Sequence, residues 1–203
     1  MLLIATLNAG KIREIKTYLA SLSFDVVGLE SLPSVALSPE TGSTFEENAR
    51  QKAAYYSRRT DHLTLADDSG LEVDALHREP GVHSARFLGI QASDEERCRE
   101  ILRRMQSVPA LLRSARFVCM LALAKNGKVL QTFEGRVEGR IATESSGKGG
   151  FGYDPIFLLP ELGKTMAELS PEEKNRCSHR GKALSQLQSF LSQHQMVTNS
   201  RKT

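Results

Sequence analysis

The chain predicts an α/β protein built on a mixed β-sheet, and three observations carry that expectation. In the N-terminal third, short apolar runs alternate with stretches of helical periodicity, the pattern of strand–helix units. Mid-chain, the apolar run Ala115 to Ala124 (ARFVCMLALA) leads into Asn126-Gly127, a pair suited to the positive φ angles of a type I′ hairpin turn. No internal repeat or low-complexity linker interrupts the 203 residues, a length ample for a well-buried core.

Taken in order, Leu2 to Thr6 reads as a buried strand ending in the turn Asn8-Ala9-Gly10. Ile12, Ile15, Leu19 and Leu22 recur at helical spacing and predict an amphipathic helix from about Lys11 to Leu22. A second strand is expected over Phe24 to Leu29, and the Ser- and Pro-rich segment Ser31 to Gly42 reads as a loop. Thr44 and Glu47 form a capping box ahead of an apolar face of Phe45, Ala49, Ala53 and Tyr56. Ser93 and Glu96 repeat that signal ahead of Ile101, Leu102 and Met105. Between these helices, Leu63 to Ala66 predicts a strand that ends at Asp67-Asp68-Ser69-Gly70, residue types that all favour a turn. The hairpin's partner strand is placed from about Val129 to Val137, and the glycine-rich segment SSGKGGFGYDP follows. The last helix is expected from about His179 to Gln193, within one domain over residues 1–195, with 196–203 as a frayed tail.

Composition excludes several classes. Formal net charge is +3, from 27 Lys and Arg against 24 Asp and Glu, far from the concentrated basic face of a nucleic-acid binder. Cys98, Cys119 and Cys177 lack C-x-x-C spacing, so neither a disulfide framework nor a zinc site is suggested, and a reducing compartment fits. The start, MLLIATLNAGK, has no basic n-region and no cleavage site of a signal peptide. No run approaches the roughly 18 apolar residues of a membrane span. A cytoplasmic protein without nucleic-acid or membrane partners is expected.

Four stretches bear chemistry. Thr6-Leu7-Asn8-Ala9-Gly10-Lys11, between a strand and a helix, is a layout that turns backbone N–H groups and a helix dipole toward an anion, with Lys11 as a positive charge at the mouth. The same residues also suit a plain strand-to-helix turn. Gly147, Gly149, Gly150 and Gly152 surround Phe151 and Tyr153 ahead of Asp154. A ring on such a loop can stack on a nucleobase while the loop amides read its edge, or the rings can simply anchor a surface loop. Lys174 and then Ser178-His179-Arg180-Gly181 bring donors suited to a keto oxygen or a phosphate, as His83 and Arg86 do more weakly, or simply form a solvated helix end. Finally, successive strand side chains point to opposite faces, so Asp67 and Asp68 should not serve one point together. Mg²⁺ needs only one or two protein carboxylates when phosphates and waters complete its shell, so one inward aspartate would serve, with Glu40 the candidate second acid.

Together these stretches resemble the inosine/xanthosine triphosphate pyrophosphatases, house-cleaning enzymes acting on non-standard purine nucleotides. The matching motifs run in order: ATLNAGKIREI, ETGSTFEENARQKA, LADDSGLEVDAL, PGVHSARF, GKGGFGYDPIF and MAELSPEEKNRCSHRGKAL. Leu7 stands where the family often has glycine. The resemblance implies an elongated two-lobed fold with a central cleft, a homodimer, and Mg²⁺-dependent hydrolysis of ITP, dITP or XTP to the monophosphate and pyrophosphate. It implies that Thr6, Leu7, Asn8, Ala9, Gly10, Lys11 and Lys52 hold the triphosphate. Asp68 becomes the general base and a metal ligand, with Glu40 a further ligand. Ser69, Phe151, Gly152, Tyr153, Asp154, Lys174, His179 and Arg180 are placed around the nucleoside, and Asp67 in support. A triphosphatase with another preferred base and a non-catalytic nucleotide-binding regulator are the competing readings.

Overall fold

The computed structural model describes residues 1–20, 25–32 and 36–194. One seven-stranded sheet has the order β2-β1-β3-β4-β5-β6-β7, formed by Leu2–Ile4 (β1), Val26–Gly28 (β2), Leu63–Val73 (β3), Ser114–Lys125 (β4), Lys128–Ile141 (β5), Phe157–Leu159 (β6) and Lys164–Thr165 (β7). β1 pairs in parallel with both β2 and β3, whereas β6 pairs antiparallel with β5 and β7, so the sheet is mixed as expected. Five α-helices accompany it among the described residues: Ala9–Leu19 (α1), Phe45–Ser57 (α2), Asp94–Arg104 (α3), Pro171–Cys177 (α4) and His179–Gln193 (α5). None is long and apolar enough to cross a membrane.

Local chemistry accounts for the boundaries. α1 begins two residues before the expected start because Asn8 caps it, accepting from the Lys11 amide at 3.0 Å. Its expected end at Leu22, the start of the expected second strand at Phe24 and the tail 196–203 lie outside the described residues. Both capping boxes form, at Thr44 with Glu47 and at Ser93 with Glu96. Asn126 (φ 51°) and Gly127 (φ 79°) close the β4–β5 hairpin. α4 was not expected, although Ser170 and Glu173 form a capping box around Pro171 that announces it.

One expectation fails. No turn forms at Asp68-Ser69-Gly70; β3 continues through them to Val73. Gly70 is there for close approach instead: a Cβ at this position would lie 2.3 Å from Ser84 Oγ and 2.6 Å from Gly81 O. Ser84 Oγ donates to Gly81 O and accepts from the Leu71 amide, fastening that segment to the strand.

By contact the chain divides into two units. The first comprises 1–68, 119–135 and 180 onward, and its core gathers Leu2, Ile4, Leu65, Cys119, Leu121 and Leu123 under Ile15 and Leu19 of α1 and Ala183, Leu184, Leu187 and Leu191 of α5. The strand members alternate along the chain, as one sheet face requires. Leu3, Ala5, Thr64 and Ala66 are buried as well, so β1 and this part of β3 are covered on both faces. The second unit, 69–118 and 136–179, centres on Leu71, Ile101, Met105, Phe117, Tyr153 and Phe157.

Candidate active site

In the first unit, β3 delivers two adjacent carboxylates to two different settings. Asp67 shares the parity of Leu65, which packs with α1 and α5. Its Oδ1 lies 2.5 Å from Lys11 Nζ, and its Oδ2 accepts from Arg180 Nε at 2.8 Å and from the Cys119 thiol at 3.3 Å. Arg180, 1% exposed, also pairs with Glu14 of α1. Burial alone would raise the Asp67 pKa, but Arg180 and Lys11 outweigh it and hold the carboxyl well below the usual aspartate range. The Cys119 thiol is pushed far up, by burial first and by Asp67 second.

Asp68 belongs to the other face, with α2. Lys52 Nζ lies 3.6 Å from Asp68 Oδ1 and 2.5 Å from Glu40 Oε1, and donates to the Asp67 carbonyl at 3.0 Å. The Oδ2 of Asp68 is buried with no hydrogen-bond partner. Burial raises the Asp68 pKa, Lys52 and Lys11 oppose the rise, and Glu40 adds to it. Lys52 is shifted the other way from a simple buried amine: burial lowers its pKa, yet Asp68 and Glu40 raise it further, so it stays a cation. A buried, unsatisfied carboxylate oxygen beside a second acid suits a hard divalent cation whose remaining ligands are waters and phosphates. Among the described residues, no group of three or more His, Cys, Asp and Glu is poised to hold a metal by itself.

The strand-to-helix segment places Thr6 to Lys11 at the start of α1, with Leu7, Asn8 and Ala9 exposed and Gly10 buried. Thr6 Oγ1 accepts from the Asn8 amide at 3.2 Å, so the turn is internally tied. Lys11, expected as a positive charge at the mouth, pairs with Asp67.

The second unit carries the remaining candidates. Asp154, 3% exposed, accepts from the Phe151 amide at 2.8 Å and pairs with Lys174 of α4, whose Nζ stands 4.8 Å from the Phe151 ring centroid. Gly150 (φ 72°) permits this, because a Cβ there would lie 2.0 Å from Asp154 Oδ2. The two loop aromatics differ. Tyr153 is a core anchor donating to Ser84 O at 2.9 Å, while Phe151 remains half-buried. Gly152 N donates to Asp94 Oδ2 at 2.6 Å. Against the loop lies a cavity of about 440 Å³ lined by Asp94, Cys98, Leu102, Lys148 and Phe151 among others. His179 is buried, its ring stacked on Phe117 at 4.8 Å and 18°. Ser69, the first residue of this unit, is half-buried on β3.

A family model described as the Ham1 family matches residues 2–190. The chain belongs to the Ham1 family. A dITP/XTP pyrophosphatase of Geobacillus kaustophilus is 50% identical over 92% of this chain and 91% of its own length. One of Halalkalibacterium halodurans is 47% identical over 93% and 97%. Among solved structures, the Ham1 protein of Staphylococcus aureus superposes with a TM-score of 0.84 at 42% identity, covering 95% of this chain and 98% of that one. The HAM1 protein of Coxiella burnetii gives 0.83 at the same identity and coverage. Two polar residues bound into these clusters, the half-buried Glu14 and the fully buried Asn48, carried no signal of their own in the sequence. Glu14 lies three residues after Lys11 and so shares its helix face, and Asn48 lies four before Lys52.

Proposed function

We propose that the chain hydrolyses non-standard purine nucleoside triphosphates (ITP, dITP and XTP) to the nucleoside monophosphate and pyrophosphate, with Mg²⁺. The observation that carries this reading is Asp68: a buried carboxylate with an unpartnered Oδ2, flanked by Lys52 and Glu40. The names of the relatives support the substrate class. Asp68 and Glu40 would hold the Mg²⁺, which supplies charge neutralisation on the phosphates when bound. Lys11, Lys52 and the N-terminus of α1 bind and neutralise the triphosphate. Asp68 accepts a proton from a water whose oxygen attacks the α-phosphorus as the bond to the β-phosphate bridging oxygen breaks and pyrophosphate leaves. Ser69, Phe151, Gly152, Tyr153, Asp154, Lys174, His179 and Arg180 belong to the nucleoside side of the reading. Donors facing a 6-keto oxygen, from His179 and the loop amides, disfavour the adenine amino group, each mismatch costing on the order of 1–3 kcal/mol.

A panel of nucleotides with separate detection of pyrophosphate and phosphate tests this. Pyrophosphate should be released from ITP, dITP and XTP far faster than from ATP or GTP, and only with Mg²⁺. Release of single phosphate, or equal turnover of ATP, overturns it. By the same family likeness we propose a homodimer in the cytoplasm, for which a sedimenting mass of one 22.4 kDa chain would be the contrary result.

A further inference from the structure

Asn48 sits on α2 one turn before Lys52 and is completely buried. Its Oδ1 accepts from the Gly42 amide at 2.8 Å, which fixes the direction of the side-chain amide. Gly42 is packed tightly there: a Cβ would lie 2.8 Å from Asn48 Oδ1 and 2.6 Å from Glu47 Cβ. With Oδ1 committed to the loop that bears Glu40, Nδ2 is left as a buried donor without a partner, as Asp68 Oδ2 is a buried acceptor without one. Lys52, one turn on from Asn48 along α2, sets its Nζ 3.6 Å from Asp68 Oδ1, so the two orphaned groups belong to one buried cluster. An orphaned donor in a fixed orientation beside an orphaned acceptor is costly unless the pair has work to do.

We propose that Asn48 is a positioning residue for Asp68: pinned through Oδ1 to the Glu40 loop, it presents Nδ2 to the Asp68 carboxylate and holds that group in its working orientation. This rests on the pyrophosphatase reading above. Asn48 needs no contact with substrate; it acts through Asp68, so its removal should slow turnover rather than weaken nucleotide binding.

The decisive variant is Asn48→Asp, which keeps an oxygen for the Gly42 amide and removes the donor. It should lower kcat for ITP roughly 10- to 100-fold with little change in KM. If Asn48 only anchors the loop, Asn48→Asp retains wild-type kcat, and the proposal falls. Should the buried charge unfold the variant, the side-chain amide resonances of Asn48 in the wild-type protein decide instead. Shifted, exchange-protected Nδ2 protons that return to ordinary values in Asp68→Ala support the proposal, and resonances indifferent to Asp68→Ala overturn it. That spectrum reads the contact without turnover, so a protein inactive on ITP would refute the pyrophosphatase reading and leave this test standing.

Discussion

Asp67 and Asp68 are neighbours on one strand, yet their surroundings are opposite. Asp67 meets two cations and a thiol donor, and its pKa is driven well below normal. Asp68 has one cation at 3.6 Å, a second acid nearby and an oxygen with no partner, and its pKa is raised. The difference arises from strand geometry, which turns consecutive side chains to opposite faces, and from which helices cover each face. A buried carboxylate that meets its counter-charges is costly to remove, whereas one left with an orphaned oxygen and a raised pKa is placed for chemistry.

The largest separation should come from Asp68→Asn. Losing the proton acceptor should lower pyrophosphate release about 100- to 10,000-fold, while thermal unfolding stays level or rises because a raised-pKa carboxylate is removed. Near-wild-type turnover in this variant would dismiss Asp68 as the base. Asp67→Asn inverts the pattern. It leaves Arg180 and Lys11 without their counter-charge, a loss on the order of 3–5 kcal/mol in denaturant unfolding, with a smaller loss of activity than Asp68→Asn.

A subtler distinction lies in pH. The folded pKa of Asp67 is depressed below the ordinary 3.8, so its stabilisation is present above 3.8 and is lost as pH falls through the lower folded value. Asp68 has the reverse sign: its folded pKa is raised, so its ionisation costs stability as pH climbs past 3.8. Acid titration of stability should therefore be flatter below pH 3.8 in Asp67→Asn than in the wild type. An unchanged acid limb would mean that Asp67 is not the counter-ion described here.

Much of this was legible in the residues. The capping boxes at Thr44 and Ser93, the Asn126-Gly127 hairpin and the limits of α5 all follow from local hydrogen bonding and backbone preference, which act over a few residues. Asp67 and Asp68 meet different partners, as strand alternation requires, although the expected turn after them does not exist. Gly70 looked like a turn residue because glycine serves two ends, and only the approach of Ser84 and Gly81 distinguishes them. Likewise Phe151 and Tyr153 read alike in the loop, but Tyr153 alone finds a buried acceptor, at Ser84 O.

The sequence by itself determined the α/β class, the family, and the identity of the acids and lysines at stake, since patterning, caps and motif order are written in adjacent residues. Only the tertiary structure decided how those charges pair. Arg180 reaches Asp67 across 113 positions of chain, and Lys52 joins Glu40 and Asp68 from a helix that precedes β3. Such pairings depend on which helix covers which face of a strand, and no spacing along the chain encodes that.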